Sequence, residues 1–179
     1  MTVADTLPQF RFLDSVEEHL ESEWSDSPQG IEDVRVMVRR SLEHFPKLHD
    51  RTITVGVTHP ESTWHEEPYA MADPHNNVIY LNSDSATEYQ TIFHELTHIL
   101  IRVENDNGAD HPQTSEPYCS ILAVSKMPSD MVFRDHIAYL GEPTVPNEEY
   151  PEICQEALEY REDNRNYIQK CKAWLGINE

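Results

Sequence analysis

Apolar residues recur along this chain with two periods, three to four residues in some stretches and two in others. Phe12, Leu13, Val16 and Leu20 stand among acids that run up to Trp24, which predicts a helix over residues 8–24. Pro28 and Gly30 in SDSPQG (25–30) break it. Ile31, Val34, Val38, Leu42 and Phe45 repeat at three and four, so a second helix is expected until Pro46 stops it. TITVGV (52–57) shifts the period to two and is rich in β-branched residues, the pattern of a strand. HPESTWHEEP (59–68) is a proline-punctuated loop. Beyond it, an extended piece at Tyr69–Ala72, the turn DPHNN (73–77) and the strand VIYLN (78–82) read as a hairpin.

The most apolar helix follows. Ser85 and Glu88 have the spacing of a capping box, in which a serine and a glutamate satisfy each other's backbone amides. Behind them Tyr89, Ile92, Phe93, Leu96, Ile99, Leu100 and Val103 cover most of the helix circumference, as in a helix central to a core. ENDNGAD (104–110) ends it near Gly108. Pro117 suits the first turn of another helix, expected from about 114 to Met127, where Pro128 stops it. A shorter helix is expected over 129–140, a linker at PTVPNEEYP (143–151), and a last acidic helix over about 151–174. The sum is a single α+β domain over 1–179, with a core at about 52–128 and helical additions at 8–45 and 129–176.

Charge narrows the possible partners. The 179 residues carry 13 Lys plus Arg against 33 Asp plus Glu, a formal charge of −20. Such a balance argues against nucleic acid or an anionic membrane as the main partner. Lysine occurs only at positions 47, 126, 170 and 172, while glutamate is spread over the chain. A dispersed acidic surface of this kind suits a high-salt cytoplasm, where ions screen self-repulsion over a few ångströms. Hydrophobic residues make up 38% of the chain, enough for a packed core rather than a disordered acidic tract. No apolar run approaches the length of a membrane span. The opening MTVADTLPQFRF lacks the basic start and apolar stretch of a signal peptide, so a cytoplasmic location is expected. Cys119, Cys154 and Cys171 form no C-x-x-C pair, which favours reduced thiols over a disulfide framework.

Inside the apolar helix lies His94-Glu95-Leu96-Thr97-His98, an H-E-x-x-H. Residues four apart on a helix lie one above the other, so both imidazoles can share one metal ion. Neutral imidazole is a good zinc ligand, and zinc lowers the pKa of a bound water toward about 7. Glu95 is displaced around the helix, placed to act as general base rather than ligand. Two imidazoles on an apolar helix need a partner, or they cost several kcal/mol in desolvation. A hydrogen-bonded pair of core histidines is the plain alternative.

With this motif the chain resembles the zincin metallopeptidases. Strand, hairpin, H-E-x-x-H helix, loop and helix follow one another over 52–128 in the order of their minimal scaffold. The resemblance implies a small antiparallel or mixed sheet packed on the central helix and on a following glutamate helix. It also implies a peptide or protein substrate docked along the strand 78–82, by addition to a sheet edge. A catalytic zinc takes three protein ligands and keeps one open position. The metzincin spacing puts its turn glycine on Ile101 and its third histidine on Glu104, which excludes that branch. The gluzincin spacing takes a glutamate from the next helix, here Glu116 in TSEPYCSILAVSKMP (114–128), a run that resembles the ImmA/IrrE peptidases. That assignment makes His94, His98 and Glu116 the metal ligands. Glu116 equally suits an ordinary first-turn acid, favoured by the helix dipole. DHPQTSEPY resembles, more faintly, the third-ligand segment of SprT-like proteases, which would make His111 the ligand.

Tyr118, His136 and Tyr139 are candidates to hold the developing oxyanion. The expected activity is zinc-dependent peptide hydrolysis. Two other readings stay open. One is a catalytically silent zincin fold with a binding role, since Ser120 stands where a histidine-supporting aspartate is expected. The other is a metal-free acidic interaction protein.

Overall fold

The computed structural model describes residues 9–12, 31–57, 70–81, 88–133, 135–163 and 166–177. The chain divides into two compact units, Met1–Ala109 and Asp110–Glu179. The first is α+β, built on four strands: β1 (Gln9–Phe12), β2 (Thr52–Val57), β3 (Ala70–Asp73) and β4 (Val78–Leu81). They form one mixed sheet in the order β1-β2-β4-β3. β1 and β4 both run parallel to β2, while β3 is antiparallel to β4. Period two explains the sheet's buried face, where Ile53, Val55, Ile79 and Leu81 are nearly inaccessible. The β3–β4 turn needs a left-handed residue, which Asn77 supplies at φ 54°. Asp73 ties this turn together by accepting from the backbone N–H groups of His75 and Asn76 and from the Asn76 amide at 2.7 Å. Chiefly the Asn76 side chain holds the Asp73 carboxyl below its ordinary range.

Two helices complete this unit, α1 (Ile31–Glu43) and α2 (Tyr89–Asp106). α1 buries Val34, Val38 and Leu42, the predicted stripe. α2 packs on α1, β3 and β4. Phe93 of α2 meets the ring of Phe45 at 5.2 Å between centroids and that of His44 at 5.8 Å. The second unit holds α3 (Glu116–Ser125), α4 (Tyr150–Asp163) and α5 (Tyr167–Trp174), each packed on the other two. No described helix is long and apolar enough to cross a membrane.

Four expectations change. The helix over 8–24 is replaced at Gln9–Phe12 by β1, and its remainder lies outside the described residues. QFRF itself alternates, with Gln9 and Arg11 exposed and Phe12 buried, and parallel pairing with β2 satisfies its backbone. The helix over 129–140 reduces to one 3₁₀ turn at Ser129–Met131 and an isolated bridge between Ile137 and Gly141. Its buried residues Met131, Val132, Ile137 and Leu140 do not share one helical face, so packing selects an irregular course. The last helix is two, α4 and α5, with Asn166 outside helical geometry at the start of α5. The fourth change concerns the docking strand. β4 is paired along both sides over Val78–Leu81, so no extended peptide can add to it without displacing a neighbour. Among the described residues, the outer strands of the sheet are β1 and β3. The capping serine, Ser85, lies outside the described residues, and Glu88 caps α2 with no side-chain hydrogen bond to the helix backbone.

Candidate metal centre

α2 carries the H-E-x-x-H within its buried span. Ile92, Phe93, Leu96, Ile99 and Leu100 anchor the helix at 2% exposure or less. Anchoring so much of its surface leaves His94 only 7% exposed and Glu95 only 6% exposed. Thr97, between the histidines, is fully buried and donates its hydroxyl to the Phe93 carbonyl at 2.7 Å, closing its polar group within the helix. His98, one turn beyond His94, is half-buried. The two imidazole rings meet edge-on, 4.9 Å between centroids and 80° between planes. Each ring offers a nitrogen, and these ligand atoms lie within 4.8 Å of one another, close enough to share one metal ion. Two nitrogens bound to the same tetrahedral zinc sit about 3.4 Å apart, so small ring rotations suffice to adopt the bound geometry.

The acids near the end of α2 have other work. Glu104 accepts from Lys47 at 2.6 Å, and its side chain is only 13% exposed. Asp106 takes Arg102 in a two-pronged contact at 2.9 and 3.0 Å. His75, in the hairpin turn, meets the Arg102 guanidinium. His59 and His65 lie outside the described residues.

In the second unit, α3 opens as its sequence predicts. Ser115 is the N-cap, its hydroxyl accepting from the Tyr118 backbone N–H at 3.3 Å, and Pro117 occupies the first turn. Glu116 is the first helical residue and is partly exposed. Cys119 comes three residues later, on the same helical face, and is 1% exposed. Ser120 is also buried, at 2%. His111 lies 2.6 Å through its Nδ1 from the Tyr118 hydroxyl, with the two rings stacked at 5.9 Å. Arg161 sits over the Tyr118 ring at 5.0 Å and donates to the Asp110 carbonyl at 3.1 Å. Burial pushes the neighbouring Tyr167 hydroxyl up, against the opposing pull of Arg161 and Ser115. Tyr118 is therefore a buried, hydrogen-bonded ring. His136 is exposed, and Tyr139 is 59% exposed with a left-handed φ of 62°.

Within the first unit, His94 and His98 are the pair that could share a metal ion, and two imidazoles are donors that suit zinc. No protein-family model, curated protein or solved structure matches this chain.

Proposed function

We propose that this protein is a zinc-dependent peptidase of the zincin type, with His94 and His98 as metal ligands and Glu95 as general base. The reading rests on one observation: two imidazoles one turn apart, nearest ligand atoms within 4.8 Å, flank a 6%-exposed carboxyl on the central helix. Zinc, when bound, supplies a Lewis acid that polarises the scissile carbonyl and makes water more acidic. Glu95 takes the proton from the attacking water and then delivers it to the departing amine.

For the third ligand we keep Glu116, on the spacing of the motif and the helix that follows it, where it is the first helical residue. His111, whose Nδ1 lies 2.6 Å from the Tyr118 hydroxyl, is the second candidate. For the substrate, the outer strand β3 replaces 78–82. It packs on α2, runs antiparallel to β4, and leaves Met71 48% exposed. An extended peptide adding along Ala70–Asp73 would gain backbone hydrogen bonds beside the metal helix.

The test incubates zinc-loaded protein, in molar salt, with a library of unstructured peptides read by mass spectrometry. Wild type should cut, and Glu95→Gln should keep its zinc but lose cleavage by at least about a hundredfold, the scale of a general base. Cleavage retained by Glu95→Gln overturns the mechanism. Zinc bound without cleavage by wild type favours a silent binding protein instead. The third ligand is read from zinc content, which Glu116→Ala should lower and His111→Ala should not.

A further inference from the structure

Cys154 and Cys171 face each other inside the second unit. Cys154 lies on α4 and Cys171 on α5; both are fully buried, and their sulfurs are 4.0 Å apart. Seventeen residues separate them along the chain, so the contact joins two packed helices rather than one turn. All three cysteines of the chain are free thiols. A disulfide bond is about 2.05 Å long, so this pair needs about 2 Å of approach, within the reach of side-chain rotation and a slight helix shift.

We propose that Cys154 and Cys171 are a two-electron redox pair that a hydroperoxide converts to a disulfide, stapling α4 to α5. In the first step one thiolate attacks the peroxide. A sulfur–oxygen bond forms, the oxygen–oxygen bond breaks, and the alcohol (water, for hydrogen peroxide) leaves with a proton. In the second, the other sulfur attacks this sulfenic acid. The sulfur–sulfur bond forms, the sulfur–oxygen bond breaks, and hydroxide departs as water after taking up the second thiol's proton. Two thiols thus lose two electrons and two protons, and one peroxide is reduced.

Location decides how the pair behaves. A thiol must ionise to react, and the Cys154 thiol is held up first by its hydrogen bond with Cys171 and then by burial. The pair therefore stays reduced under brief or mild exposure and reacts faster as pH rises. Access for so small an oxidant requires only local opening of α5, a helix of eight residues. Once one sulfur is oxidised, its partner is already in contact, so condensation outruns further oxidation to the sulfinic acid.

The experiment treats the folded full-length protein with hydrogen peroxide until the exposed Met71 is oxidised to sulfoxide, then blocks remaining thiols and maps peptides. The expected product has lost two hydrogens, joins the Cys154 and Cys171 peptides, and reverts with dithiothreitol. Cys119→Ala should give the same link, while Cys154→Ala and Cys171→Ala should not. The wild-type map is decisive even if a variant fails to fold. Three unreacted thiols at that dose, a link through Cys119, or sulfinic acid at either position without a link overturns the proposal.

Discussion

Zinc should stabilise this fold by an amount that can be stated in advance. At free zinc one hundredfold above the dissociation constant, binding to the folded state alone adds RT ln(1 + 100), about 2.7 kcal/mol. For a chain of 179 residues, each kcal/mol moves the melting midpoint by about 2–4 °C, so the shift should be about 5–11 °C. Replacing His94 by alanine has two effects that must be separated. It removes a ligand, and it empties space that a 7%-exposed side chain now fills, which destabilises with or without metal. The diagnostic is therefore the increment between metal-free and zinc-loaded samples of each variant. A thousandfold weaker site at the same free zinc retains only about 0.1 kcal/mol of linkage, so the increment should vanish in His94→Ala and His98→Ala. In Glu95→Gln it should persist. Calorimetry in a zinc buffer, with magnesium as a control for the 33 acidic residues, measures all of this. An increment of equal size in the two histidine variants would place the ion elsewhere on the acidic surface and remove the basis of the reading.

Further outcomes follow from individual groups. Tyr150 is fully buried, and its hydroxyl has no hydrogen-bond partner among the described residues. Tyr150→Phe should accordingly leave the melting midpoint unchanged or raise stability by up to about 1 kcal/mol, and a clear loss would reveal a partner. Asp73 has a folded-state pKa below its ordinary 3.8, so it contributes stability that is present above that value and lost as pH falls through the folded one. Urea midpoints of Asp73→Asn should fall below wild type at pH near 7 and converge with it at strongly acid pH. A gap of constant size would assign the effect to packing. The charge of −20 predicts a higher melting midpoint in molar potassium chloride than at about 0.1 M, where repulsion reaches about 10 Å rather than about 3 Å. A midpoint unmoved by salt counts against adaptation to a salt-rich cytoplasm.

Strong local periods in the sequence translated directly into structure. TITVGV became β2 and the hairpin closed on Asn77, because alternation and turn chemistry act within a few residues. α1 and α2 followed from stripes long enough to define a face. The strand at Gln9–Phe12 was hidden because four residues hold little periodic signal, and its parallel partner lies 43 positions away at the Arg11–Thr54 contact. The order β1-β2-β4-β3 was equally invisible, since VIYL reads the same on an edge as in the middle of a sheet. The site divides along the same line. His94, Glu95 and His98 share one helix, and their spacing was sufficient. A third ligand from another element would carry no spacing within this helix to mark it, so the sequence could rank Glu116 and His111 without deciding between them.

The case for chemistry rather than a plain histidine core rests most on Glu95. One buried and one half-buried imidazole can satisfy each other and nearby carbonyls at little cost, so His94 and His98 alone would fit either reading. A carboxyl at 6% exposure on a helix otherwise packed with Ile92, Leu96, Ile99 and Leu100 is harder to explain as structure. Removing its ionised form from water costs several kcal/mol before any partner repays it, and an alanine or leucine there would avoid that cost. Proteins keep such groups where function outweighs the lost stability. Glu95→Gln therefore separates the readings. If Glu95 serves catalysis, this variant should keep its zinc and a melting midpoint near wild type while cleavage disappears. If the carboxyl is a structural partner of the core, the melting midpoint should fall by several degrees, and zinc should not restore it.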